Sequence, residues 1–253
     1  MLTANGMSAN GMSAGEAQRR MRALPFALLD EIAPGTCLIL APHPDDESLG
    51  CGGLIAMASA CGRPPVIVAV TDGAGSHPNS HSYPPARLRA TRAAELLDAA
   101  AILGVGADHV HFLNLPDARA PLAGPEFDAA VAAIVALVRC HGITTIFASW
   151  RCDPHGDHVA TAVLGEAVAQ AAAVRLAFYP VWGWLLPPDA VLPIASVAGR
   201  RLDVTAVLSR KQRAIAAHRS QYADLITDDP TGFRLPCELL SVFEQPCEVF
   251  LTA

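Results

Sequence analysis

The 253-residue sequence predicts an α/β fold, a mainly parallel sheet covered by helices on both faces. Three observations carry this. Short apolar runs alternate with helical stretches of about 14 to 19 residues, the pattern of βαβ units. The runs are continuously apolar, as strands are when helices cover both faces of their sheet. Hydrophobic residues make up 52% of the chain, and the mean hydropathy of +0.32 allows a sizeable core.

Residues 1–35 read as an N-terminal tail and leading helix, and residues 36–253 as a single domain. The opening MLTANGMSANGMSAGEAQRR has no apolar signal-peptide core and reads as a disordered tail, followed by a helix over Glu16–Leu29. Then come a strand at Cys37–Ala41, a helix at Glu47–Ala60 and a strand at Pro65–Val70. Thr71–Pro85 is a long loop rich in Ser, His and Pro. A helix at Ala86–Leu103 ends at Gly104, and a short strand follows at His109–Leu113. A helix at Phe127–Cys140, stopped by Gly142, leads to the strand Ile143–Ser149. His155–Ala173 is helical and Arg175–Tyr179 extended. Leu185–Pro193 reads as an insertion loop, Ser196–Val204 as a strand, Ala206–His218 as a helix and Glu248–Leu251 as the last strand.

The net charge is −6, Lys211 is the only lysine and no basic stripe is visible, which argues against a nucleic-acid partner. No apolar run reaches the roughly 18 residues of a membrane span. Seven cysteines without a CxxC pair fit buried thiols in a reducing cytoplasm, with Cys51 and Cys152 lying beside the motifs described next.

Sites in such folds form outside the carboxyl ends of the strands. That rule brings four loops to one rim: Pro42–Asp46, Thr71–Pro85, Asn114–Ala120 and Trp150–Asp157. The first belongs to APHPDDESLGCGG (Ala41–Gly53), which packs His43, Asp45, Asp46 and Glu47 into five residues after an apolar strand. The fourth, SWRCDPHGDHVATA, carries Asp153, His155, Asp157 and His158. A divalent ion offsets the carboxylate repulsion and selects imidazole and carboxylate ligands.

Catalytic zinc takes three protein ligands and keeps one position for water. His43 and Asp46, three apart at a strand-to-helix turn, and His158, in the first turn of a later helix, form that set. Two positive charges against one negative ligand suit activation of water. Asp45, between two ligands, is placed as general base. His155, one turn before His158, is a general acid or an oxyanion stabiliser, and Asp157 could orient it. Glu47 reads equally as a helix-start charge or as support for the site.

By spacing alone, Arg92 and Glu95 read as an exposed pair on one helix, and Asp117 as a turn residue after Pro116. His77, His81, His109, His111, His141 and His218 lack spaced partners and read mostly as surface or loop residues, with His77 and His81 able to reach a pocket.

These residues resemble the LmbE-like, or PIG-L, family of zinc-dependent N-deacetylases. The resemblance rests on APHPDDESLGCGG and DPHGDH, with weaker echoes in VTDGAGS, RATRAAEL, NLPDAR and HRSQY, and covers most of Cys37–Gln221. It implies a Rossmann-like three-layer αβα domain with zinc at the carboxyl rim, held by His43, Asp46 and His158. It implies Asp45 as base, His155 as an imidazolium paired with Asp157, and Arg92 and Asp117 as substrate-binding residues. Some members carry a tyrosine just before the second motif's first histidine, where this chain has Trp150, Arg151, Cys152 and Asp153. Trp182–Pro193 matches nothing in the family pattern and is expected to shape the pocket.

The implied function is removal of an acetyl group from an N-acetylglucosamine-containing small molecule, with Zn2+ or another divalent transition metal such as iron or cobalt. Two readings compete with it: an amidase or esterase acting on another acylated small molecule at the same site, and a binding protein that keeps the metal site without turnover.

Overall fold

The computed structural model describes residues 11–252; the expected tail over residues 1–10 lies outside the described residues. A two-residue strand, β1 (Met12–Ser13), leads into helix α1 (Ala14–Ala23), whose N-terminus is capped by the Ser13 hydroxyl accepting from Glu16 N at 3.2 Å. The single helix expected over Glu16–Leu29 is instead two, because Pro25 follows the end of α1 and the chain restarts only at α2 (Leu29–Ile32). Met12, Ala14, Ala17 and Met21 are buried in one of the two core clusters, together with strand residues such as Leu38 and Leu40, so this leading segment packs on the sheet.

The five central strands are β2 (Cys37–Ala41), β3 (Val66–Thr71), β4 (Val110–Leu115), β5 (Thr145–Ser149) and β6 (Arg175–Tyr179). Helices α3 (Asp46–Ala60), α4 (Pro85–Leu103), α5 (Pro125–His141) and α6 (Gly156–Ala172) connect them. Proline at N1 starts α4 and α5, and left-handed Gly104 and Gly142 end them. A two-residue β7 (Val191–Leu192) pairs with β1, so the Pro-rich insertion docks on the leading segment. Then follow β8 (Gly199–Asp203), α7 (Leu208–Ala217), α8 (Arg219–Tyr222), α9 (Cys237–Phe243) and β9 (Cys247–Thr252).

The sheet order is β4-β3-β2-β5-β6-β9-β8. β2 to β6 are parallel, while β9 runs antiparallel to both β6 and β8. The chain winds outward from β2 to β4 and returns to the other side of β2 at β5. The switch point therefore lies between β2 and β5, whose carboxyl ends lead into the two motif loops.

Helix α3 lies unusually close to its neighbours. A Cβ on Gly50 would stand 2.2 Å from the Tyr179 ring, so only glycine fits there. Halfway along α3 the carboxylate of Glu248, from β9, accepts from Gly53 N at 2.6 Å and Leu54 N at 2.8 Å. Lys211 Nζ donates to the same carboxylate at 2.8 Å, a fully buried ion pair. Among the described residues no helix is long and apolar enough to cross a membrane.

The cysteines depart from expectation: Cys37 and Cys51 are buried thiols, but Cys61, Cys140 and Cys237 are exposed. They lie in surface helices or at a helix end, where hydrophobic neighbours in sequence do not mean burial.

Candidate active site

The turn after β2 places its residues by an unusual backbone. Asp45 caps α3 with φ 151° and ψ −27°, a conformation that L-residues rarely adopt. Its N–H donates to Glu47 Oε2 at 3.0 Å, and Asp46 N donates to His43 O at 3.2 Å. These bonds hold the strained turn so that Asp45 and Asp46, though adjacent, serve different partners.

Two imidazole nitrogens approach one carboxylate oxygen. Asp46 Oδ2 lies 3.2 Å from His43 Nδ1 and 3.3 Å from His158 Nε2. Donors on a tetrahedral zinc with bonds of about 2.0–2.1 Å stand about 3.3 Å apart, and these two distances match that spacing. His158 Nε2 is wholly buried and, despite its nearness to Asp46, is not angled for a hydrogen bond, so it has no partner. A buried imidazole nitrogen left without a bond is costly unless something else occupies its lone pair. The rings of His43, His155 and His158 also cluster, with ligand atoms within 4.8 Å of one another. Asp46 suits the third position better than His155, because its oxygen already reaches both other rings and it is deeply buried, whereas the His155 ring accepts from Asp157 N at the start of α6.

The outer faces of the two imidazoles are fixed. His158 Nδ1 lies 2.9 Å from Asp153 Oδ2, and Asp153 also accepts from the backbone of Val181, Trp182 and Gly183. His43 Nε2 lies 3.1 Å from Asp157 Oδ2 and 3.3 Å from Asp117 Oδ1. Carboxylates on the far nitrogen of a ligating histidine set its tautomer and aim.

This corrects the reading of Asp157. Its carboxylate does not pair with His155; it accepts from Ala118 N, Ala120 N and the His43 ring. The sheet brings β2 and α6 side by side, and that outweighs closeness in sequence. Burial, then the neighbouring His43 and His158, lower the His155 pKa, which favours a neutral ring over the implied imidazolium.

Burial alone would lower His158, but Asp46 and Asp153 raise it to about 9. Burial likewise opposes charge on His43, yet its bonds to Asp117, Asp157 and Asp46 raise it well above the ordinary value. Asp46 is held below the usual carboxylate range because the two rings outweigh its burial. Asp45 behaves oppositely: burial raises it to about 6, against the pull of Arg92.

Arg92 and Glu95 are not an exposed pair; both are buried and face different partners. The face of α4 that carries them turns inward. Arg92 reaches Asp45 Oδ2 at 3.1 Å, Pro44 O at 2.9 Å and Gly73 O at 3.0 Å. Glu95 accepts from Ser220 N and Oγ at 2.8 and 2.6 Å. Asp117 is more than a turn residue, since Gly75 N donates to its other oxygen at 2.8 Å.

His218, expected at the surface, is fully buried, and its Nε2 lies 2.9 Å from Glu47 Oε1. Its only sequence signal is the HRSQY echo. His109, His111 and His141 also come together, with ring centroids 5.3 and 6.1 Å apart, at the amino end of β4. His77 is buried under Gly232, and His81 is exposed.

His43, Asp45, Asp46, Arg92, Asp117 and His155 are among the residues that line a cleft of about 340 Å³. Of the unmatched Trp182–Pro193 segment, only Trp182 lines this cleft. The cleft, the strongly perturbed carboxylates and the convergent imidazoles together mark an active site.

Comparison with known proteins agrees with this geometry. No curated protein matches the chain significantly. Among solved structures, N,N'-diacetylchitobiose deacetylase from Pyrococcus horikoshii is similar with TM-score 0.58 and 25% identity, covering 77% of this chain and 73% of its own. A conserved protein from Thermus thermophilus aligns with TM-score 0.54 and 28% identity over 74% of this chain and 79% of its own. A triple mutant of a deacetylase from the teicoplanin biosynthetic pathway, at 21% identity and TM-score 0.59, covers 74% of this chain and 82% of its own and shares the fold. Residues 38–171, more than half of the chain and including both motif loops, match the family described as PIG-L, GlcNAc-PI de-N-acetylase, and the chain belongs to that family.

Proposed function

We propose that this protein is a divalent-metal-dependent N-deacetylase that removes the acetyl group from an N-acetylglucosamine-containing small molecule. The observation that carries the reading is the approach of His43 Nδ1 and the unpartnered His158 Nε2 to Asp46 Oδ2, with Asp45 next in sequence, in the cleft. The amino-sugar substrate follows from the family and from the likeness to the chitobiose deacetylase.

His43, Asp46 and His158 would hold the metal, and two imidazoles with one carboxylate suit zinc, with iron or cobalt as alternatives. A bound divalent ion supplies Lewis acidity, which lowers the pKa of water and polarises an acyl carbonyl. Asp45 takes the proton from the attacking water, and its pKa near 6 makes it a usable base at neutral pH. Arg92 positions the Asp45 carboxylate. His155 lines the cleft, where its ring can donate to the carbonyl oxygen or to the departing amine. Asp117 and Asp157 aim His43, and Asp153 aims His158. The free cysteines favour a reducing, cytoplasmic setting.

Acetate release from N-acetylglucosamine derivatives, measured with zinc and after chelation, tests this reading. Zinc-dependent release is expected. Release that survives complete metal removal, or its absence with every N-acetylglucosamine derivative, overturns it.

A further inference from the structure

The cleft has two unlike kinds of lining. Beside its carboxylates and imidazoles, Trp182 and Phe233 meet edge to face, with ring centroids 5.7 Å apart at 69°, and Leu49 and Leu235 add to the apolar wall. We infer that the Trp182–Phe233 corner is a subsite for the group attached to the acylated amino sugar, and that this group is uncharged and presents a flat apolar face, as an aryl aglycone does. The inference rests on the deacetylase reading and adds what that reading leaves open.

The backbone that carries both rings is held in place before any ligand arrives. Trp182 N donates at 3.2 Å to Asp153 Oδ2, the same oxygen that aims His158. The corner is thereby tied to His158 through a single buried carboxylate. Phe233 N donates to Ser76 O at 2.7 Å. Its loop is clasped to the long loop after β3, with Asn79 N donating to Asp229 at 2.9 Å and Ser80 Oγ to Asp228 at 2.7 Å. Gly232 lies so close to the His77 ring that a Cβ there would stand 2.1 Å from it. A backbone fixed in this way, with the two rings packed on each other, lowers the ordering cost of binding a flat partner.

Charge narrows the choice further. Asp45, Asp46 and Asp117 line the cleft, and Arg92 is the one arginine or lysine among its lining residues. The guanidinium is committed to Asp45, Pro44 O and Gly73 O. The Trp182–Phe233 corner itself, with Leu49 and Leu235, offers no arginine or lysine to meet a phosphate or carboxylate on the aglycone, and desolvating such a group against apolar walls is costly.

The test compares acetate release from the phenyl glycoside, the methyl glycoside and the 1-phosphate of N-acetylglucosamine by the zinc-loaded protein. The phenyl glycoside is expected to exceed the methyl in kcat/KM by about tenfold, mainly through KM, with the 1-phosphate lowest. In Phe233→Leu, which keeps apolar bulk but loses the flat ring, the phenyl-to-methyl ratio should fall towards one. Titration calorimetry with phenyl and methyl glucosaminides, which lack the acetyl group, reads the corner without turnover. Equal Kd for the two amines, or a preferred 1-phosphate, overturns the inference even if the enzyme deacetylates well. Failure to deacetylate any of the three, with phenyl still bound more tightly, would instead count against the deacetylase reading and leave the subsite standing.

Discussion

Asp153 Oδ2 lies 2.9 Å from His158 Nδ1 and is the only side-chain hydrogen-bond partner of that ring among the described residues. Asp153→Asn keeps the shape but removes the charge that orients the ring and raises its basicity. We expect metal affinity to fall about 10- to 100-fold, read by competition with a chelator.

Asp45 does not ligate in our assignment. Asp45→Asn should therefore lower kcat by about 10²- to 10⁴-fold while one metal per chain is retained by elemental analysis. Loss of metal together with activity would place Asp45 among the ligands instead.

Arg92 opposes the burial that raises Asp45. Arg92→Met removes that opposition, so Asp45 should hold its proton to higher pH. The acidic limb of the kcat/KM profile should move upward in pH, with activity partly recovered on the alkaline side. An unmoved limb would separate Arg92 from the base.

In metal-free protein His158 titrates at about 9 and His43 well above its ordinary value. His158 is largely protonated at pH 7 and must lose that proton to bind metal, and the upward shift of His43 acts in the same direction. Metal binding at pH 7 should release protons, and affinity should climb with pH until about 9. The sign for stability is opposite. His158 is raised above its unfolded value near 6.5, so its contribution is complete below that pH and lost as pH rises through about 9. The Tm of chelated protein should fall over this window.

Lys211 pairs with Glu248 in full burial. Lys211→Met strands the carboxylate and should cost about 3–5 kcal/mol, lowering Tm by about 10 °C. Adding Glu248→Gln should restore part of the loss.

Much of this is legible in the sequence, for identifiable reasons. Strands such as CLILA and TIFAS are buried on both faces, so their apolar runs are unbroken. The two motifs follow β2 and β5, which flank the switch point, and so they had to meet. Side-chain partnerships are less legible. The spacing of Arg92 and Glu95 suggests a pair, but the helix turns both inward to different partners. Asp157 is two residues from His155 yet faces His43, 114 residues away. His218 reaches Glu47 across 171 residues, a contact no local pattern announces. The helix break at Pro25, by contrast, is written in the chain, since a proline there cannot continue α1.

The grip of Glu248 on α3 spans 195 residues of chain. The helix that carries Asp46 is thus secured by a strand near the chain's C-terminal end, inserted antiparallel between β6 and β8. During synthesis His43 and Asp46 emerge well before the support beneath their helix. Contacts of such long sequence separation form slowly, because the loop must close before the bond rewards it. Maturation of the metal centre should therefore coincide with the last step of folding, and a chain shortened before Cys247 should emerge as a non-binding intermediate and not as a weakened enzyme.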